Sequence, residues 1–211
     1  ISMKTSNVTI VGGGIVGICS ALSLQNRGIL VRLIEKDEPG QATSFGNAGV
    51  ISPWSIIPHS TPGFWKTIPR LMLTSWRPLS IHLESWPHMV PWGLKFLSNG
   101  TEKNTRKIAN AMSILCSPCI ELYRKHLNGT GHEDLVKDAR YLQLVRHAKN
   151  ATLKDLGYQI KLQKGAKIEI VKGSDLHSLE PALSSKFEAG IVTHDVARCI
   201  SPGKLSSVLA T

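Results

Sequence analysis

The chain opens its ordered pattern with Val8-Thr9-Ile10-Val11, a short run of strand-forming residues. From Ile18 to Arg27 apolar and polar positions follow helical spacing, and Gly28 stops the segment. Leu30-Val31-Arg32-Leu33-Ile34 then reads as a second strand. Farther on, Ile108, Met112, Leu115, Cys119, Leu122 and His126 recur every three or four positions. That spacing predicts a helix over 101–127 with one buried stripe. Thr101 or Asn99 is placed to cap its start, and Gly129 and Gly131 finish it. Pro118 removes the bond to the Ile114 carbonyl, so a kink or break is expected there. Residues 141–145, 167–171 and 189–193 read as strands, and 150–163 and 174–179 as helices. An amphipathic helix begins near Pro202 and is still running at Thr211.

Residues 54–100 break this regularity. Trp54, Trp65, Trp76, Trp86 and Trp92 fall here among several prolines, which excludes one long helix. Short helical pieces are expected at 64–73 and 92–97. The tryptophans read either as a patch for a membrane surface or a quinone partner, or as core of a proline-punctuated insert. No clean basic amphipathic helix is evident, so the core reading is preferred.

The first strand runs straight into Gly12-Gly13-Gly14-Ile15-Val16-Gly17, a Gly-x-Gly-x-x-Gly sequence followed by helix and strand. This is the context of a dinucleotide-binding unit rather than of an ordinary glycine-rich turn. Gly12 permits the tight turn, Gly14 lets backbone approach a pyrophosphate, and Gly17 allows helix to pack on strand. The helix N-terminus offers N–H groups and partial positive charge to phosphates. Glu35, eighteen residues beyond Gly17, is placed to accept from a ribose hydroxyl. The fingerprint alone leaves NAD and FAD both open.

Composition narrows the partners. The net charge of +10 would attract nucleic acid, anionic lipid or an anionic cofactor. Lys and Arg are scattered and no recognition motif accompanies them, so nucleic acid is not an expected partner. Four cysteines in 211 residues suit a reduced, intracellular protein. No apolar run reaches the roughly 18 residues that a membrane-spanning helix needs, and no secretory signal is read. Ile1-Ser2, ahead of Met3, is set aside as an expression leftover. Cys116-Ser117-Pro118-Cys119 matches Cys-x-x-Cys, but a redox dithiol would want a preceding strand and zinc a second ligand pair. His59, His82 and His88 lack ligand spacing, and no metal site is expected.

After Glu35-Lys36 comes Thr43-Ser44-Phe45-Gly46-Asn47-Ala48-Gly49, then Val50-Ile51-Ser52-Pro53-Trp54 and Thr61-Pro62-Gly63. Thr-Ser-x-x-Asn-Ala-Gly in this position resembles the amino-acid-oxidising flavoproteins: glycine oxidase, sarcosine oxidase, D-amino-acid oxidase and bacterial D-amino-acid dehydrogenases. Residues 50–63 and Pro69-Arg70-Leu71-Met72-Leu73 look closest to the dehydrogenase branch. Leu179-Glu180-Pro181-Ala182-Leu183, Asp195 and Pro202-Gly203-Lys204-Leu205 resemble later elements of the same family. For Glu180 and Asp195 turn and cap chemistry is preferred over catalysis.

The resemblance implies FAD rather than NAD. It places Gly12, Gly13, Gly14, Ile15, Val16, Gly17, Glu35 and Lys36 at the ADP portion. Thr43 and Ser44 would meet the phosphates, and Asn47, Ala48 and Gly49 would lie near the isoalloxazine. The implied fold is α/β: a Rossmann-like FAD-binding domain with a parallel βαβ sheet, plus part of an α+β substrate domain. The expected division is 3–53 for the FAD unit and flavin loop, 54–100 for the insert, 101–195 for a partial substrate domain and 196–211 for a return to the FAD domain. The chain matches about the first half of a family member and is expected to be truncated.

The implied chemistry is oxidation of the Cα–N bond of a small, D-configured amino acid. Hydride would pass from Cα to flavin N5, and the imine would hydrolyse to an oxo acid. Electrons would pass to a quinone or carrier, with a cytoplasmic location and peripheral contact at the inner face of a membrane. No catalytic residue is named. The alternative from another class is a non-catalytic FAD-binding fragment or subunit; an NAD-dependent dehydrogenase is disfavoured by the 43–49 loop.

Overall fold

The computed structural model describes residues 7–74 and 82–211. Trp76, one of the five tryptophans, lies outside the described residues. Strand β1 (Asn7–Val11), helix α1 (Ile15–Gln25) and strand β2 (Leu30–Ile34) form the expected βαβ unit. β1 and β2 pair in parallel, Asn7 opposite Leu30 and Val11 opposite Ile34. Gly28 ends the helical segment with φ 76° and donates to the Gln25 carbonyl.

Beyond them come β3 (Val50–Ile51), α2 (Ile68–Leu73), α3 (Trp86–Ser98), α4 (Glu102–Cys116) and α5 (Cys119–Leu127). The remainder is β4 (Val136–Val145), α6 (Leu156–Gln163), β5 (Ile168–Lys172), α7 (Gly173–Leu179), β6 (Ala189–Cys199) and α8 (Pro202–Ala210). A second sheet runs in the order β3-β6-β4, with β5 also pairing β6. β3 and β6 are antiparallel, Val50 opposite Arg198 and Ile51 opposite Ala197.

The chain divides into two compact units, 1–53 with 118–142 and 192–211, and 54–117 with 143–191. In the first, Ile18, Ile51, Leu127, Leu135, Ala197, Leu205 and Leu209 build the core. In the second, Ile56, Ala109 and Ile160 are buried, with Met112 and Leu156 packed on them.

The helix expected over 101–127 breaks at Pro118, as the missing donor requires. Thr101 caps α4, its side chain accepting from the Asn104 N–H at 3.2 Å. The single buried stripe is a correction. Leu115 is 71% exposed and Leu122 is exposed, whereas Thr105, Ala109 and Leu127 are fully buried. The break re-phases the turns: α4 packs through Ala109, Met112 and Cys116, and α5 through Cys119, Ile120, Tyr123 and Leu127.

The helix expected over 150–163 begins only at Leu156. Thr152 accepts from the Lys154 N–H and Gln159 bonds the Leu153 carbonyl, so side chains take over the backbone groups ahead of it. The strand expected at 189–193 runs on to Cys199 and passes through Asp195, which holds φ 55° inside it. Turn or cap chemistry is therefore wrong for Asp195. It fits Glu180, whose Oε1 accepts from the Ala182 N–H at 3.4 Å. The helical piece expected at 92–97 extends over all of α3 with Pro91 inside it. Core burial is overturned for Trp65, Trp86 and Trp92, which are exposed, whereas Trp54 is half-buried.

Candidate functional site

The end of β1 turns into α1 through Gly12, whose φ of 107° is a conformation L side chains rarely adopt. Its N–H donates to the Ile34 carbonyl at 2.8 Å, tying the turn to the end of β2. A Cβ on Gly17 would collide with the Gly12 carbonyl oxygen, so this glycine is fixed by helix-on-turn packing. Gly14 differs. It is the N-cap residue of α1 with φ −73°, and a Cβ there would meet only the Ser44 Oγ, at 3.3 Å. No acidic residue stands in the first turn of α1. The Ile15 N–H is taken by Ser44 and the Gly13 N–H by Glu35, and the remaining N–H groups of the first turn, with its positive end, suit an anion.

Glu35 folds back on the glycine turn. Its Oε2 accepts from the Gly13 N–H at 2.5 Å and its Oε1 from the Lys36 N–H at 2.8 Å. The Gly13 bond first, then the Lys36 bond, holds the carboxyl below its usual range, so it is ionised and acceptor-only at neutral pH. A Cβ on Gly13 would press on this side chain. Lys36 contributes its main-chain N–H here, while its ammonium reaches solvent beside Asp37 at 3.5 Å.

The 43–49 loop is fastened across the start of α1. Ser44 Oγ accepts from the Ile15 N–H at 3.0 Å, Asn47 Nδ2 donates to the Ser44 carbonyl, and Asn47 Oδ1 accepts from the Gly49 N–H at 2.7 Å. Gly49 has φ 68°, and a Cβ would strike the Cys199 carbonyl. Its own carbonyl accepts from the Cys199 N–H at 2.6 Å, so the loop ends against β6. Two further close approaches fix the loop on α8: Gly40 against Ser206, and the Phe45 ring against Gly203.

These attachments border an open cavity of about 400 Å³ lined by Ile15, Ser44, Asn47, Ala48, Gly49, Val50, Ile51, Tyr123, Cys199, Pro202, Leu205 and Ser206. Five of the sequence-predicted site residues, Ile15, Ser44, Asn47, Ala48 and Gly49, therefore share one cavity. Glu35 and Lys36 stand at the glycine turn; Val16 and Thr43 are exposed and do not line the cavity. Sequence reasoning missed Tyr123, Cys199, Leu205 and Ser206. The available signal was Gly203, a poor helix former just inside a helix start, where close packing accounts for it. Burial pushes the Tyr123 phenol up to about 12 and raises the Cys199 thiol, so both walls are neutral at physiological pH. Among the described residues no three His, Cys, Asp or Glu gather as a metal site.

A family model described as FAD dependent oxidoreductase matches residues 7–211. The chain belongs to the FAD dependent oxidoreductase family. A D-amino-acid oxidase of Bradyrhizobium diazoefficiens is 32% identical over 207 residues, 97% of this chain and 49% of that protein. A D-amino acid dehydrogenase of Helicobacter pylori is 39% identical over 100 residues, 47% of this chain and 24% of that protein. Among solved structures, the dithionite-reduced L-α-glycerophosphate oxidase of Mycoplasma pneumoniae with FAD bound aligns with TM-score 0.56. The match is at 18% identity and covers 99% of this chain and 42% of that one, which shows a shared fold. The chain spans about half the length of the curated oxidase it matches.

The donor set fits the family's cofactor. A helix N-terminus with no acidic residue in its first turn, a glycine turn where a Cβ would narrow the approach, an ionised carboxylate acceptor and a mainly apolar cavity suit pyrophosphate, ribose and a flat ring.

Proposed function

We propose that the protein holds FAD for oxidation of the Cα–N bond of a small amino acid, of D configuration, to the imino acid and thence the oxo acid. The observation that carries this reading is the 43–49 loop, bonded through Ser44 to the start of α1 and through Gly49 to β6. When bound, FAD would supply the acceptor for the hydride of the substrate, and with it the two electrons. The chain's own part is orientation and electrostatics. The turn from Gly12 to Gly17, through the N–H groups of Gly14, Val16 and Gly17, and the positive end of α1 would face the pyrophosphate, with Thr43 beside them. Glu35 would exchange the Gly13 N–H for a ribose hydroxyl. Ile15, Asn47, Ala48 and Gly49 would flank the ring system and keep water from it. No general base is assigned.

In this reading 3–53 and 196–211 serve the cofactor, 101–195 contributes to substrate binding and 54–100 is an insert. Electrons pass to a quinone or carrier rather than to oxygen, on the resemblance of residues 50–63. The protein works in the cytoplasm in peripheral contact with the inner face of a membrane; no described helix is long and apolar enough to cross one. A second reading is a fragment or subunit that binds FAD without turnover.

Anaerobic addition of D-alanine to FAD-reconstituted protein separates the two. Bleaching of the visible flavin band supports the first. A bound flavin that no D- or L-amino acid bleaches supports the second, and failure to take up FAD at all sinks both.

A further inference from the structure

α3 carries two apolar stripes. Met89, Gly93 and Phe96 face inward, half-buried, at helical spacing. Trp86, Val90, Leu94 and Leu97, spaced four, four and three, form a second stripe that is exposed, with Leu94 at 66%. Trp92, on the other flank, is held flat on Phe96, ring centroids 5.1 Å apart at 22°, yet is 57% exposed. Phe96 in turn meets Phe64 edge-on at 5.6 Å, which fixes the 64–66 turn beside α3. That turn presents Trp65, 60% exposed, with the Lys66 ammonium 5.6 Å from its ring centre. Rigidly held aromatic side chains facing water are a poor arrangement for a surface that stays wet.

The charges around these groups have one sign. Between Glu38 and Glu102 the sole acidic residue is Glu84. Lys66, Arg70 and Lys95 are exposed on the turn, on α2 and on α3. A second copy of the chain would set these cations against themselves. A bilayer carrying negative headgroups takes both features together: Trp rings settle at the headgroup level and each nearby Lys or Arg gains from the surface potential.

We propose that α3 and the 64–70 segment form the surface through which the protein docks on an anionic lipid bilayer. The assignment rests on the peripheral contact proposed above and is independent of flavin binding. The test is flotation of the full chain with vesicles of phosphatidylglycerol mixed equally with phosphatidylcholine, against phosphatidylcholine alone. The proposal expects binding to the anionic vesicles that weakens with salt. It expects Leu94→Glu, and separately the Lys66→Glu/Arg70→Glu/Lys95→Glu variant, to lower the partition coefficient about tenfold or more. Both changes are at exposed positions, and unaltered far-ultraviolet dichroism keeps folding out of the result. Wild-type protein that ignores anionic vesicles overturns the peripheral contact itself. Wild-type binding that both variants retain overturns only the assignment to this surface. A dimer in solution that Leu94→Glu dissociates, without vesicle binding, assigns the face to a second copy and contradicts the lipid reading.

Discussion

The glycine turn with its loop, and the helices over 86–127, differ in what their sequences encode. Gly12, Gly17 and Gly49 answer demands of the backbone: a φ of 107°, a helix against a carbonyl, a loop against β6. Few other residues satisfy such demands, so the requirement and the residue coincide. Leu115, Leu122 and Trp92 are apolar too, but apolarity alone does not say which side of a helix meets a neighbour. A proline beside a presumed stripe is enough to leave two of its members, Leu115 and Leu122, in solvent.

The sharpest way to break this contrast is at Gly17. A Gly17→Ala change should cost about 4 kcal/mol or more, because the new Cβ meets backbone that cannot step aside. Thermal unfolding measures it, and a loss under 1 kcal/mol would remove the backbone argument. Next in size is Leu127→Ala, at a fully buried position, expected to cost about 3 kcal/mol. Leu115→Ala, chemically identical and twelve residues earlier, should stay within about 0.5 kcal/mol. Equal costs for the two would contradict the exposure of Leu115.

Ser44→Ala sharpens the comparison on the loop. It removes the acceptor of the Ile15 N–H and should destabilise by about 1 kcal/mol while weakening FAD retention. Equilibrium urea unfolding and flavin release would both show it. The smallest effect concerns Glu35. Its folded-state carboxyl titrates below the usual range, so its stabilising bonds are present above the unfolded value and are lost as pH falls through the depressed one. A Glu35→Gln variant should lack that acid-range component in a pH series of melting temperatures. Identical acid profiles would show that the carboxylate's bonds contribute nothing.

The parallel βαβ unit, the break at Pro118, the Thr101 cap and the Pro202 helix were legible because each rests on a local rule carried by one or two residues. The cavity wall was only half legible. Ser44 to Gly49 lie in one stretch with a recognisable order of small and polar residues. Tyr123, Cys199 and Ser206 come from segments far away in sequence, and only the fold brings them to that stretch. Asp195 was misread for a related reason: its left-handed φ sits within a strand whose pairing is non-local, while the sequence around it looks like a strand end.

The central claim is that the glycine turn and the 43–49 loop form a cradle for FAD. The direct measurement is the visible spectrum of FAD-reconstituted, desalted protein beside that of a Gly14→Val variant, with mass spectrometry of what heating releases. Gly14 has an ordinary φ and room short of Ser44, so the variant should keep its fold by circular dichroism. The account predicts a flavin spectrum and released FAD from the wild type, and neither from the folded variant. Equal FAD occupancy in both would show that the pyrophosphate does not approach the chain at this turn.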